Sequence, residues 1–323
     1  MPPFEVTVDD LPKFGARYLE RPRDPAIYRN PLVLCASGLR GSRIVAALCR
    51  RDLVYSRSQF GIPLRNRDLE IGCYVNGVVN SSLATYFAFL TATEWGLDKY
   101  VMERTDFLRI PIPRLELARG AHVEKICELE RELRNKARNG RYDEALVAEL
   151  DRAVFKLYGL DRFEEILVED MVDHTIDLQR NHEQSEALSP ATVKEGRDYA
   201  KHVIDVIQPF LETRKKRRIV ADVLDVDAPL RIVRFTIIAA SQNGRPSVAT
   251  EKVADLSQVL HKVAENLDEQ IALGVHTRRH LRVYSGDSIY VVKPSQRRFW
   301  TRSAGLTDGD SMLKDLFGGG GRE

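Results

Sequence analysis

The chain has 323 residues with 43% hydrophobic and 30% charged side chains, a length that buries a substantial core in two or three domains and a composition of an ordinary globular protein in which nothing demands disorder. With 49 basic and 47 acidic residues the overall charge is nearly balanced. The longest apolar run is shorter than the roughly 18 residues a membrane helix needs, the start "MPPFEVTVDDLPKF" has no basic segment leading into an apolar one, and Cys35, Cys49, Cys73 and Cys127 form no C-x-x-C pair, so a cytoplasmic protein with free buried thiols and no membrane partner is expected.

Residues 1 to about 31, with "RPRDPAIYRNP", predict an extended or turning arm, because residues before proline are pushed out of the α region. The runs "LVLCAS", "SRIVAAL", "LVYSRSQFGIPL" and "LEIGCYVNGVV" predict four strands on β-branched and aromatic content, with glycine turns between them. "NSSLATYFAFLTATEWG" predicts a helix capped by Asn80 or Ser81 and stopped at Gly96. "MERTDFLRIPIPRLEL" predicts extended backbone, since Pro111 and Pro113 cannot lie inside a helix.

From Leu117 the period becomes helical. One helix carries Val123, Ile126, Leu129 or Glu130, Leu133 and Ala137 and breaks at Asn139-Gly140; a second carries Leu146, Leu150, Val154 and Tyr158; a third carries Ile166, Leu167, Met171 and Leu178. Residues 183–198 predict a polar linker ending in a Ser189 or Thr192 cap. Beyond it come a helix with Tyr199, Val203, Val206, Ile207 and Phe210 on one face, the strands "RIVADVLDV" and "LRIVRFTIIAA", a helix over 255–272, a hairpin "HLRVYSGDSIYVVKP" turning at Ser285-Gly286-Asp287, and a short final helix. The fold class expected is therefore α+β: a small mixed sheet domain (1–115), a helical segment (116–182), the linker, and a C-terminal α+β domain (199–323) with a β-hairpin.

The charge is unevenly distributed. Between Cys35 and Asp68 stand seven arginines against two aspartates, and from Arg278 to Arg302 seven basic residues against Asp287 alone. Such a pattern suits a polyanionic partner or two solvated faces. Guanidinium groups fork onto phosphate oxygens or guanine edges, and a glutamine can pair with adenine. Arg40, Arg43, Arg57, Ser58, Gln59, Arg65 and Arg67 are accordingly the candidate DNA-binding residues, with a secondary basic surface at Lys215, Lys216, Arg217, Arg278, Arg279, Arg297 and Arg298.

Catalytic motifs are missing from the sequence. No histidine pair has zinc spacing, neither "ASGLRGS" nor "GGGG" leads into G-K-[ST] or forms G-x-G-x-x-G, and no serine lies in G-x-S-x-G. Asp222, Asp225 and Asp227 with Glu251 and Lys252 have the residue types of a metal-dependent nuclease. Their spacing fits poorly, because a separation of three points Asp222 and Asp225 to opposite strand faces and adjacent Glu251 and Lys252 also diverge.

The succession "NPLVLCASGLRGSRIVAALCRRDLVYSRSQFGI", then "VNGVVNSSLATYFAFLTATEWGLDKYVMERTDFLRIPIP", resembles the target-recognition region of N6-adenine DNA methyltransferases of restriction-modification systems, TaqI-like and Eco57I-like. "LYGLDRFEEILVEDMV" is similar to the helical portion that follows there. The resemblance implies sheet strands that face double-stranded DNA and helices that dock a partner. It departs at the catalytic signature: "NPLV" at Asn30 replaces the family's N-P-P-[YF], and no glycine-rich S-adenosylmethionine motif precedes it. The expectation is a non-catalytic specificity subunit that binds no cofactor itself, works with a methyltransferase subunit carrying S-adenosylmethionine, and has a nuclease or helicase subunit as a further partner in modification or phage defence. A metal-dependent nuclease and a non-catalytic scaffold are the alternatives.

Overall fold

The computed structural model describes residues 3–6, 11, 13, 15, 24–56, 58–64, 68–92, 101–118, 120–225, 230–239, 247–252 and 281–318, and the chain forms two compact units, 1–180 and 181–323. Both units are α+β, each with a small mixed sheet.

In the first unit β1 (Phe4–Glu5), β2 (Leu32–Ala36), β3 (Ala46–Cys49) and β4 (Gln59–Pro63) lie in the order β1-β3-β2-β4. β1 runs parallel to β3 and the other pairs are antiparallel. The run "LEIGCYVNGVV", expected as a strand, is helix α1 (Leu69–Val79). Asp68 caps it by accepting from the Glu70 and Ile71 amides at 2.9 and 3.1 Å, and burial of residues all round leaves no amphipathic period to read.

α2 (Ser82–Thr91) starts from the expected Ser81 cap and ends short of Gly96. The segment expected as extended contains one helical turn, α3 (Arg104–Phe107). Beyond it the Pro111 and Pro113 carbonyls accept from the Tyr158 and Tyr74 hydroxyls at 2.6 and 3.0 Å. α4 (Gly120–Arg138) and α5 (Glu144–Tyr158) flank the expected break. α6 (Arg162–Asp170) runs on through a π-helical turn, Met171–Ile176, into α7 (Asp177–Asn181). Leu167 is exposed while Val168, Val172 and Ile176 are buried: a wider turn takes in an extra residue, so a 3.6-residue period carried through it selects the wrong face.

Sheet and helices share one core, in which Val33, Leu48 and Tyr74 meet Ile126, Leu133 and Leu150. Three buried polar side chains stitch it together. Asn80 brackets Ala46 of β3, donating to its carbonyl at 2.9 Å and accepting from its amide at 3.1 Å. Asn76 donates to the Phe4 carbonyl at 3.1 Å and to Glu130 at 2.8 Å, so the Phe4 carbonyl and both backbone groups of Ala46 find partners on or next to α1.

In the second unit residues 183–198 are not a free linker. Ala187 and Ala191 are buried, and α8 (Val193–Lys215) begins from a Thr192 cap boxed with Glu195. Leu211 takes the buried place expected of Phe210. β5 (Arg217–Asp225), β6 (Leu230–Ala239), β7 (Val248–Lys252), β8 (Leu281–Ser285) and β9 (Ser288–Pro294) form a sheet in the order β7-β5-β6-β9-β8, with β7 parallel to β5 and the rest antiparallel. The hairpin turns where expected; the helix expected over 255–272 lies outside the described residues. α9 (Arg302–Gly318) starts earlier than expected and packs with α8. Lys293 of β9 pairs with Asp308 of α9, which also accepts from the Tyr199 hydroxyl of α8 at 2.5 Å.

Two outcomes follow from this packing. A Cβ added at Gly305 would stand 2.6 Å from the Tyr199 carbonyl oxygen of α8, so Gly305→Ala should destabilise the second unit by about 1–3 kcal/mol in urea unfolding. Burial pushes the Glu130 carboxyl above its ordinary value, against the pull of Arg134. The folded chain therefore holds that proton more tightly than the unfolded one, and the stability it adds is present at low pH and lost as pH rises through the raised value. With Glu130→Gln that slope disappears, so the variant's urea midpoint should gain on the wild type's between about pH 4 and pH 8.

Candidate functional site

The turn that joins β2 to β3 is the centre of the site. Arg40 and Arg43 exchange backbone hydrogen bonds at 2.9 and 3.3 Å across Gly41-Ser42, a two-residue closure that requires a positive φ, and Gly41 has φ +59°. The turn is held from two sides. Arg180 of α7 donates to the Gly41 carbonyl, and Arg43 forks onto Asp151 of α5 at 3.0 and 2.7 Å.

Asp151, itself buried, also accepts from the Ser82 amide at the start of α2 at 2.7 Å. Burial works against the Arg43 charge, but Asp151, helped by Asp173 of the π-helical turn, more than offsets it and raises the guanidinium above its ordinary value. Arg43 is thus permanently charged and geometrically committed. It supplies field to the site rather than a free fork.

Beside this turn lies a cavity of about 460 Å³. Arg40 and Arg43 line it from the sheet, and Arg141 and Tyr142 from the turn between α4 and α5. That second turn also pivots on a left-handed glycine, Gly140 at φ +66°, with the Arg141 amide donating to the Lys136 carbonyl at 3.1 Å. The Arg141 side chain is exposed and meets no acidic partner among the described residues. Asp143, also on the wall, is neutralised by Lys136 at 2.5 Å and caps α5; that pairing holds its carboxyl below the ordinary value. The floor is aliphatic, with Ile44 and Val45 buried beneath.

The remaining candidates are placed unevenly. Arg57, Arg65 and Arg67 lie outside the described residues, as do Arg278, Arg279 and Asp227. The Ser58 hydroxyl pairs with that of Ser56 at 2.8 Å. Gln59 uses its side-chain carbonyl to accept from the Ser56 amide and hydroxyl at 3.2 and 2.7 Å, which removes one of the two groups a bidentate adenine contact needs. Lys215 ends α8 and Lys216 follows it exposed, with φ +47°. Arg217 pairs with Asp287 at 3.3 Å, and Arg297 with Glu186 and Glu195 at 3.1 and 3.2 Å. Arg298 bonds Gln296 at 2.9 Å and lies 4.7 Å from the Phe299 ring centre. Of these, Arg217 and Arg297 are matched by acids.

The nuclease constellation is occupied by a cation of the chain's own. Arg234 of β6 reaches Asp222 at 2.9 Å and Glu251 at 2.8 Å, so it stands where a metal held by those two carboxylates would be. The Asp225 and Lys252 side chains lie outside the described residues. No group of three or more metal-ligating side chains occurs among the described residues, and none of their helices is long and apolar enough to cross a membrane.

Arg141 and Tyr142 were missed by sequence reasoning. "NGRYDE" carried the signal of a helix break at Asn139-Gly140, and nothing in it said which cavity the turn would face. No protein-family model and no curated protein matches the chain.

Removing Asp151 should unseat the site. Asp151→Ala leaves Arg43 without its partner and the α2 amide without an acceptor, and is expected to cost about 2–4 kcal/mol in urea unfolding. Asp151→Asn, which retains an acceptor for Ser82, should cost less.

Proposed function

We propose that this chain is a DNA sequence-recognition subunit that directs a separate S-adenosylmethionine-dependent adenine methyltransferase to its target, in a restriction-modification or phage-defence complex. The observation that carries the reading is the cluster of Arg40, Arg43 and Arg141 around one cavity, with no acid left uncompensated on its walls. Arg40 and Arg43 lie in the segment whose sequence resembles the recognition region of such enzymes. Short turns on a packed sheet hold guanidinium groups at fixed positions, which is what a surface that tracks phosphates and tests base edges requires.

Catalysis and cofactor are assigned to the partner, because the 323 residues contain neither a glycine-rich cofactor motif nor the N-P-P-[YF] tetrapeptide. The nuclease reading is weakened by Arg234 between Asp222 and Glu251. The scaffold reading differs from recognition in predicting no role for the arginines.

Phosphate contacts make binding salt-dependent. If Arg40 and Arg141 each displace a counterion, affinity for duplex DNA in the presence of the methyltransferase partner should fall roughly twenty- to thirtyfold between about 50 and 300 mM salt. Arg40→Ala and Arg141→Ala should each flatten that slope by about one unit without disturbing assembly with the partner. An affinity indifferent to salt and to both substitutions would leave the scaffold as the better reading.

A further inference from the structure

The cavity has a feature that phosphate tracking alone does not need. Charged groups on an open surface suffice to follow a DNA backbone, yet here they stand over a concave, aliphatic floor formed by Ile44 and Val45 with Leu133 and Val147. At about 460 Å³ the cavity is in the size range of small-ligand sites. An occupant that satisfies both parts must be amphiphilic: flat and apolar on one side, anionic at an edge.

Tyr142 adds a third element. Tyr142 is 57% exposed at the rim, while burial raises its hydroxyl above the ordinary value against the opposing pull of Arg43 and Arg40. The apolar face of the ring is thus offered beside the arginines. We propose that the cavity is a mononucleotide site, in which Arg40 and Arg141 hold the phosphate and the base lies against Tyr142 over the Ile44 and Val45 floor. Arg43 makes no contact in this arrangement, since Asp151 holds both ends of its fork; it contributes positive field from behind.

The wall opposite in sequence is strained. Phe4 lines the cavity at φ +69°, a region that a bulky side chain rarely adopts. It is kept there by Asn76, which bonds its carbonyl, and by the pairing of β1 with β3. Strain of this kind persists where the surroundings over-determine it and concentrates at ligand sites.

The nucleotide has two possible sources, an extrahelical nucleotide of bound DNA and a free nucleotide. With the first source the inference rests on the DNA-recognition reading; with the second it stands alone. The test uses the full chain and its Arg141→Ala, Tyr142→Ala and Tyr142→Phe variants. Each is titrated calorimetrically with the four 2′-deoxynucleoside 5′-monophosphates and with inorganic phosphate. Each is also titrated with a fully paired duplex and with the same duplex carrying one unpaired 2-aminopurine.

At least one monophosphate should bind about tenfold or more tightly than inorganic phosphate, and Tyr142→Ala should weaken it about tenfold while Tyr142→Phe retains it. Arg141→Ala should weaken monophosphate and phosphate together. If the source is DNA, Tyr142→Ala should lower affinity for the bulged duplex and leave the paired one unchanged. If the chain binds monophosphates and ignores both duplexes even with the methyltransferase partner present, the inference stands with a free nucleotide as ligand and the DNA reading falls. The inference is overturned if no monophosphate binds and Tyr142→Ala treats both duplexes alike, or if monophosphates bind but the variants match the wild type; salt-sensitive duplex binding in the same series would then leave the DNA reading in place.

Discussion

The first unit depends on one carboxylate. Asp151 projects from α5 into a place where the β2–β3 turn and the start of α2 converge, and it satisfies a guanidinium and a backbone amide together. Without it, a half-buried cation and a buried helix N-terminal amide would both lose their acceptor, an arrangement with a large desolvation cost. Because Asp151 is 108 residues from Arg43 in sequence, this single junction also fixes how the helical segment sits on the sheet.

Asn76 and Asn80 do for α1 what Asp151 does for α2. A helix buried on nearly every side would normally carry apolar residues throughout, yet these two asparagines point at strand edges and a carboxylate that would otherwise be orphaned. The same two side chains explain why α1 was unreadable as a helix. Its sequence has neither the alternation of a half-buried strand nor the stripe of a surface helix, and the β-branched and aromatic residues in "LEIGCYVNGVV" tipped the expectation to a strand.

Where periodicity was clear, the reading succeeded. α4 and α5, with the Asn139-Gly140 break, were legible because each buries one stripe and exposes a charged face; so was the β8–β9 hairpin, from its alternation around Ser285-Gly286-Asp287. The site was legible in part. Arg40 and Arg43 stood out by local charge density, but that density could not tell that Arg43 is bound to Asp151. Arg141 and Tyr142 enter the site through the tertiary packing of α4 and α5 against the sheet, and no local pattern encodes that. Arg234 was likewise invisible as the occupant of the acidic pair, since cross-strand register brings Asp222 and Arg234 opposite each other.

The two left-handed glycine turns also bear on binding kinetics. Gly41 and Gly140 each place an arginine one residue from a backbone pivot that is already locked by hydrogen bonds, so the loops need little ordering when an anion arrives. What remains to be lost is side-chain rotamer freedom, about 0.5–1.5 kcal/mol for each arginine immobilised. For the proposed anion such a site is preorganised, and removing one of its rim charges should slow capture as well as shorten the ligand's stay.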